Sequence, residues 1–239
     1  MHTSIKWEEY NVVLFSINGI HRGAPELDSV IEEIPGESLE TFNKRTGIPL
    51  DCIVKLNSNE SPYPPIPEVL QALSNYTNYN IYPDTHSVAL RSALSSYTEL
   101  DPKHIVFGHG SSELMYLLWR IFLSAGEAIL CCPPTFSMYT TCATLCNASV
   151  VEVPCTSSYE LDIEEILAAL RSTTKIIVLC SPNNPTGNPV KKSDVLTLLE
   201  TDRIVVVDEA YVEFSDHPQG MAALVPIYQN LVVLRTFSK

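Results

Sequence analysis

The sequence predicts an α/β fold, in which a mostly parallel sheet lies between two layers of helices. The first observation is a set of six short apolar runs of strand length. The second is that helical patterns separate most of these runs, as the connections between parallel strands require. The third is composition: 45% of the 239 residues are hydrophobic and 18% are charged, which excludes a disordered chain and supplies a buried core.

The elements follow one another in a regular order. Residues 1–55 lack a steady period, and the proline-dense stretch 61–67 predicts a rigid connector. Strands are predicted at residues 104–107, 128–131, 149–153, 175–180, 203–207 and 231–234. Helices are predicted near residues 87–97, 112–123, 135–146, 162–171 and 193–200. The run 175–180 is rich in β-branched residues, which is typical of a strand buried on both faces.

Charge and cysteine content exclude several classes of protein. The chain has 15 basic and 28 acidic residues, a formal charge of −13, which argues against binding to nucleic acid or anionic membranes. The seven cysteines form no C-x-x-C pair, so we predict no metal site and interpret them as reduced, packed thiols. The apolar run 12–17 is too short for a signal peptide or membrane span. We therefore expect a cytoplasmic protein.

Polar residues follow five of the predicted strands, and these strand ends are where open parallel sheets bind ligands. The segments concerned are residues 108–113, 133–136, 181–187, 208–211 and 235–239. Ser111 and Ser112 suit either an anion site at a helix N-terminus or an ordinary helix cap. Residues 184–187 also suit a simple turn. Neither a dinucleotide fingerprint nor a Walker loop is present.

Two charged residues at strand ends indicate more specific chemistry. Asp208 follows a run of valines, where a carboxylate is costly unless a cation or a donor meets it. Lys239 follows another hydrophobic strand, and a lysine held in a site can act as a nucleophile toward a carbonyl.

Taken in order, these motifs resemble those of the fold-type I aminotransferases that use pyridoxal 5′-phosphate, and most closely those of the histidinol-phosphate aminotransferase group. The resemblance spans about residues 53–239. Residues 56–62 are similar to its L-x-x-N-E-x-P stretch, 81–84 to Y-P-D/E, and 132–139 to P-P-T-[YF]-x-x-Y. Residues 181–187, 208–211 and 235–239 are similar to S-P-N-N-P-T-G, D-E-A-Y and R-T-x-S-K. Six motifs in register make the resemblance specific.

The resemblance implies a role for each site residue. Lys239 would form the Schiff base with the cofactor and move the proton during transfer, and Asp208 would pair with the pyridinium nitrogen. Asn184 and Tyr211 would bind the phenolate oxygen, and Phe136 would stack on the ring. The residues implied for the cofactor phosphate are Ser111, Ser112, Thr236, Ser238 and, from the neighbouring subunit of a homodimer with shared sites, Tyr82.

The resemblance further implies amino transfer from L-histidinol phosphate to 2-oxoglutarate in histidine biosynthesis. It divides the chain into an N-terminal arm with part of a small domain, residues 1–55, and a cofactor-binding large domain, residues 56–239. Where the family has a P-Y-x-P-G-like element, residues 32–36 read E-E-I-P-G, and a glutamate would repel a phosphorylated substrate. An aromatic amino-acid aminotransferase and a threonine-phosphate decarboxylase are therefore alternatives.

Family members also continue past the Schiff-base lysine, with arginines for the cofactor phosphate and for the substrate. A third hypothesis is therefore a truncated, non-catalytic fragment that binds the cofactor poorly or only associates with partners.

Overall fold

The described residues of the computed structural model, 37–216 and 218–239, contain seven α-helices and five β-strands. The helices are α1 (Leu39–Thr46), α2 (Pro67–Asn75), α3 (Val88–Thr98), α4 (Ser111–Phe122), α5 (Met138–Leu145), α6 (Ile163–Ala169) and α7 (Lys192–Leu199). The strands are β1 (Ala128–Cys131), β2 (Ser149–Glu152), β3 (Thr174–Cys180), β4 (Ile204–Asp208) and β5 (Leu231–Leu234). Short 3₁₀ turns lie at Leu50–Cys52, Pro102–His104, Val212–Phe214 and Ala222–Leu224.

The five strands form one sheet in the order β2-β1-β3-β4-β5, and every neighbouring pair is parallel. The register places Cys180 opposite Asp208 and Asp208 opposite Leu234. The carboxyl ends of β3, β4 and β5 therefore finish at the same level, and the loops that follow them meet at one edge of the sheet.

Alternate side chains of the strands enter two separate hydrophobic clusters, one on each face of the sheet. Ile177 and Leu179 pack on the side covered by α6 and α7, whereas Ile176 and Val178 pack on the side covered by α4 and α5. This alternation follows from the two-residue repeat of a strand. It confirms the predicted three-layer αβα architecture.

The predicted strand at 104–107 is wrong. Pro102–His104 forms a 3₁₀ turn, which begins where the Asp101 side chain accepts a hydrogen bond from the Lys103 backbone N–H at 2.9 Å. The Ile105 carbonyl accepts a hydrogen bond from the Arg91 guanidinium. An apolar run of strand composition becomes a strand only when a neighbour satisfies its backbone groups, and no strand of the described chain pairs with these residues.

Helices α1 and α2 were not predicted. The first begins at Ser38, whose side-chain oxygen accepts a hydrogen bond from the Thr41 N–H at 3.1 Å, and ends at Gly47 with φ of +75°. The second begins at Pro67, the last proline of the predicted connector, because proline at the first helical position lacks an N–H that would be unpaired there. The stretch 32–36 lies outside the described residues.

All seven cysteines are free thiols, and five of them are buried. Burial raises the pKa of Cys131 to about 12 and the pKa of Cys180 to about 11, so these groups stay protonated at neutral pH. Within residues 37–216 and 218–239, no cluster of three or more His, Cys, Asp or Glu residues is arranged to hold a metal ion. None of the helices in this part of the chain is long and apolar enough to cross a membrane.

Candidate active site

A cavity of about 920 Å³ opens at the carboxyl edge of the sheet. Nine of the ten predicted site residues line it: Ser111, Ser112, Phe136, Asn184, Asp208, Tyr211, Thr236, Ser238 and Lys239. They come from five separate segments. Four of these lie at or after the carboxyl ends of β1, β3, β4 and β5, and the fifth is the start of helix α4. Tyr82 does not line this cavity and is 97% exposed; its predicted role involves a neighbouring subunit.

Asp208 lies at the end of β4 and is only 2% exposed. Its Oδ1 accepts a hydrogen bond from the Ala210 backbone N–H at 3.1 Å, and its Oδ2 accepts one from the Tyr139 hydroxyl at 2.9 Å. Burial raises the pKa of the Asp208 carboxyl, and the two hydrogen bonds oppose that rise. A cationic N–H placed in the cavity would stabilise the ionised carboxylate further.

Tyr139 is a residue to which sequence reasoning gave no role. It is fully buried on α5, and its ring meets the Phe136 ring edge-on at a centroid distance of 5.7 Å. Burial, more than the nearby Asp208 charge, raises the pKa of Tyr139 well above its ordinary value, so its hydroxyl remains a donor. The signal was present in the sequence, because Tyr139 is the final tyrosine of the P-P-T-[YF]-x-x-Y stretch, which was noted without a role for that residue.

Tyr211 joins the loop after β4 to the segment that precedes α2. Its hydroxyl oxygen accepts a hydrogen bond from Asn59 Nδ2 at 3.0 Å. Ser58 and Asn59 both have positive φ, 66° and 51°, a conformation that asparagine tolerates better than most residues. The amine of Lys239 lies 5.6 Å from the centroid of the Tyr211 ring. Sequence reasoning missed Asn59, whose motif was noted without a role.

The hydroxyl groups of the loop after β5 lie beside the N-terminus of α4, which itself begins with Ser111 and Ser112. Thr236 Oγ1 and Ser238 Oγ are 2.8 Å apart, and a Cβ atom at Gly110 would lie 3.9 and 3.8 Å from them. Gly110 has φ of +87° and directly precedes Ser111, the first residue of α4. Free backbone N–H groups and four hydroxyls at a helix N-terminus together suit a phosphate group.

Glu209 and Arg235 form an ion pair behind the cavity, with Arg235 Nε 3.0 Å from Glu209 Oε2. Glu209 Oε1 also accepts a hydrogen bond from the Met221 backbone N–H at 2.5 Å. Burial raises the pKa of Glu209, whereas the Met221 N–H and the Arg235 charge lower it. The pair ties the loop after β4 to the loop after β5, and sequence reasoning did not detect it.

The residues of the cavity fit pyridoxal 5′-phosphate as a ligand. The buried Asp208 carboxylate matches a ring N–H, the Lys239 amine matches an aldehyde, and the hydroxyls beside α4 match a phosphate. Phe136 supplies an aromatic surface for a flat ring. The fold and the site thus define a parallel α/β protein equipped to bind a phosphorylated aromatic aldehyde.

The sequence profile of the family "Aminotransferase class I and II" matches residues 51–239, so the chain belongs to that family. It is 41% identical over 230 residues to the protein named histidinol-phosphate aminotransferase of Roseiflexus castenholzii, covering 94% of this chain and 61% of that one. It is also 41% identical over 216 residues to the chloroplastic histidinol-phosphate aminotransferase 1 of Arabidopsis thaliana, covering 90% of this chain and 52% of that one.

Among solved structures, the fold is similar to histidinol-phosphate aminotransferase from Sinorhizobium meliloti in complex with pyridoxal 5′-phosphate. The TM-score is 0.76 at 24% identity, over 94% of this chain and 60% of that one. The chain therefore spans between about half and three fifths of the length of the relatives it matches.

Proposed function

We propose that the chain binds pyridoxal 5′-phosphate through Lys239 and transfers an amino group from L-histidinol phosphate to 2-oxoglutarate, a step of histidine biosynthesis. The observation that carries the proposal is the presence of Asp208 and Lys239 in one cavity. The first offers a buried carboxylate and the second an amine. The choice of donor is supported by the names of relatives that are 41% identical to this chain.

The cofactor, when bound, supplies a conjugated ring that accepts the electron pair left on the substrate Cα. The Asp208 carboxylate would accept a hydrogen bond from the ring N–H and keep that nitrogen protonated. The Lys239 Nζ would take the proton from the substrate Cα and return it during the transfer. Asp208 and Lys239 must keep their positions to act in this way. The hydrogen bond from Tyr139 and the Glu209–Arg235 ion pair help to fix those positions.

The remaining residues bind and orient. Phe136, Tyr211 and Asn184 line the cavity. Phe136 would pack against the ring, and Tyr211 and Asn184 would bind the phenolate oxygen. Tyr211 is able to donate its proton there because Asn59 already donates to its oxygen. The four hydroxyls of Ser111, Ser112, Thr236 and Ser238, with the α4 N-terminus, would hold the phosphate.

A panel of amino donors tests the substrate. The protein saturated with pyridoxal 5′-phosphate is mixed, without acceptor, with L-histidinol phosphate, L-phenylalanine or L-threonine phosphate, and the cofactor absorbance is recorded. We expect L-histidinol phosphate to change the spectrum at the lowest concentration and 2-oxoglutarate to restore it. A response to phenylalanine alone, or release of CO₂ from threonine phosphate, would contradict the proposed donor. The Lys239→Ala variant is the control for a non-enzymatic reaction.

We also propose that residues 56–239 are the cofactor-binding domain and residues 1–55 an arm and part of a small domain. Two chains form a homodimer in which Tyr82 reaches the cofactor phosphate of the neighbouring subunit. The 97% exposure of Tyr82 supports this role. Mixing equal amounts of a Tyr82→Ala chain and a Lys239→Ala chain tests it. Each hybrid dimer regains one intact site of two, and hybrids make up about half of the dimers, so the mixture should recover about a quarter of full activity. No recovery of activity on mixing two inactive chains would contradict shared sites.

The cytoplasmic location of the protein stays a prediction.

A further inference from the structure

The contact between Tyr139 and Asp208 is unusual because both groups are buried. Tyr139 is fully buried and Asp208 is 2% exposed, yet the hydroxyl and the carboxylate are 2.9 Å apart. Hydrogen bonds to charged groups are the strong ones, and a buried carboxylate without donors is costly. This contact therefore influences both the charge and the orientation of Asp208.

Buried contacts hold both the backbone and the ring of Tyr139. Its backbone carbonyl accepts a hydrogen bond from Trp119 Nε1 at 3.2 Å, and Trp119 is fully buried. Its ring packs edge-on against Phe136, a wall of the cavity. The hydroxyl therefore lies against the Oδ2 of Asp208, with the Cys180 thiol as its other side-chain neighbour.

The other neighbours of Asp208 cannot take over this role. Cys180 faces it across the β3–β4 pairing, and burial raises the pKa of that thiol to about 11, which leaves only a weak donor. Leu234 faces it from β5 and is apolar. The second donor, the Ala210 N–H, binds the other oxygen at 3.1 Å, so one donor alone would let the carboxylate rotate about its Cβ–Cγ bond.

We propose that Tyr139 is a positioning residue, which holds the Asp208 carboxylate ionised and turned toward the ring nitrogen of the cofactor. The proposal rests on the proposed function, because it concerns the same site. Tyr139 acts through Asp208 and not by touching the cofactor's nitrogen, since its hydroxyl is already directed to the carboxylate.

The test compares two aldehydes that differ only in the atom that Asp208 meets. The first is pyridoxal 5′-phosphate, and the second is 1-deazapyridoxal 5′-phosphate, in which a C–H replaces the ring nitrogen. Dissociation constants of both are measured by equilibrium dialysis on the full chain. The ratio used is the dissociation constant of the deaza compound divided by that of pyridoxal 5′-phosphate. It reports the Asp208 interaction, because attachment to Lys239, stacking and phosphate binding are common to both.

We expect Tyr139→Phe to lower this ratio about tenfold, in the range of a hydrogen bond to a charged group. The matched control is Tyr116→Phe on α4, which removes a hydroxyl from a 37% exposed ring outside the cavity and leaves the ratio unchanged. An unchanged ratio would overturn the proposal. If both aldehydes then bound equally more weakly, Tyr139 would serve only packing.

A second comparison uses the Asp208→Asn background, where Tyr139→Phe removes a hydroxyl beside a neutral amide and leaves no buried carboxylate short of a donor. In the Asp208→Asn background the ratio is already low, and adding Tyr139→Phe is expected to lower it no further, because Tyr139 acts through the carboxylate. A further drop in the double variant would overturn the inference. A wild-type chain that binds neither aldehyde would instead overturn the proposed function itself. A wild-type ratio near one, with both aldehydes attached at Lys239, would overturn the positioning role and leave the attachment intact.

Discussion

Arg235 Nε lies 3.0 Å from Glu209 Oε2, and this contact joins the first residue after β5 to the first residue after β4. The Glu209 side chain is 2% exposed and the Arg235 side chain 18%, so the pair is largely withdrawn from water. Arg235 also donates a hydrogen bond to the Gln219 carbonyl at 2.7 Å. Asp208 precedes Glu209 and Lys239 follows Arg235 by four residues, so the ion pair ties together the two segments that carry the acid and the amine of the cavity.

Replacing Arg235 by methionine is predicted to destabilise the protein by about 3 kcal/mol, because it leaves a buried carboxylate without its cation. The free energy of unfolding is measured by urea denaturation. The control is Lys191→Met, which breaks the exposed Lys191–Glu160 pair and should cost less than about 1 kcal/mol. Equal losses in the two variants would contradict the view that the Glu209–Arg235 pair is structurally important.

Gly220 lies directly against the Glu209 carboxylate. A Cβ atom at Gly220 would overlap both carboxylate oxygens, and the residue has φ of +54°. We predict that Gly220→Ala lowers the free energy of unfolding by about 3 kcal/mol, since the clash displaces a buried charge as well as straining the backbone. At Gly126 φ is +85° but the space is open, so Gly126→Ala should cost only about 1 kcal/mol of backbone strain. Similar losses at both glycines would show that the Glu209 contact is unimportant.

The strands that were predicted correctly are those that the composition of a short run of sequence is enough to indicate. Residues 176–180 are buried on both faces because their side chains enter two cores in alternation, and the apolar, β-branched composition of the run indicates this. The run 104–107 has a similar composition but no pairing partner in the described chain, and composition does not carry that information. Helix α2 was missed because its sequence signal is the proline that also marks a connector.

The site residues also divide into those that sequence motifs predicted and those whose contacts only the structure revealed. Motifs place Asp208, Tyr211 and Lys239 at strand ends, and the parallel register then brings them to one edge. The contact between Asn59 and Tyr211 joins residues 152 positions apart, and no periodicity in one sequence indicates such a pair. The Glu209–Arg235 pair escaped detection because a charge beside a strand end is usually solvated.

Asp208→Asn is predicted to stabilise the protein without cofactor and to weaken cofactor binding. Burial raises the pKa of Asp208 in the folded state, so the folded chain binds this proton more tightly than the unfolded chain. Stability contributed by the carboxyl is therefore greatest below its unfolded pKa of about 3.9 and is lost as the pH rises through the folded value. Asparagine does not titrate and can still pair with Ala210 and Tyr139.

The measurement is the free energy of unfolding of both proteins between about pH 4 and pH 8. The advantage of the variant should grow with pH and level off at a value on the order of 1 kcal/mol. Pyridoxal 5′-phosphate should bind the variant at least about tenfold more weakly. A variant that is less stable than the wild type across the whole range would contradict the assigned electrostatics.

Asn59 is predicted to set the direction of the Tyr211 hydroxyl proton. Its amide donates to the Tyr211 oxygen at 3.0 Å, which leaves the hydroxyl proton free for an acceptor in the cavity. Asn59→Asp has nearly the same shape but reverses the polarity, so the carboxylate would draw that proton away. We expect Asn59→Asp to lower kcat about tenfold more than Asn59→Ala, which only releases the hydroxyl. Equal kcat values for the two variants would contradict this role.

The central claim is that Lys239 is the residue to which the cofactor aldehyde attaches. The direct measurement is reduction of the protein with borohydride in the presence of pyridoxal 5′-phosphate, followed by mass spectrometry of the peptides. One reduced adduct per chain, located on Lys239 and absent from Lys239→Arg, is the predicted result. An adduct spread over surface lysines, or equal in amount in the Lys239→Arg variant, would contradict the account.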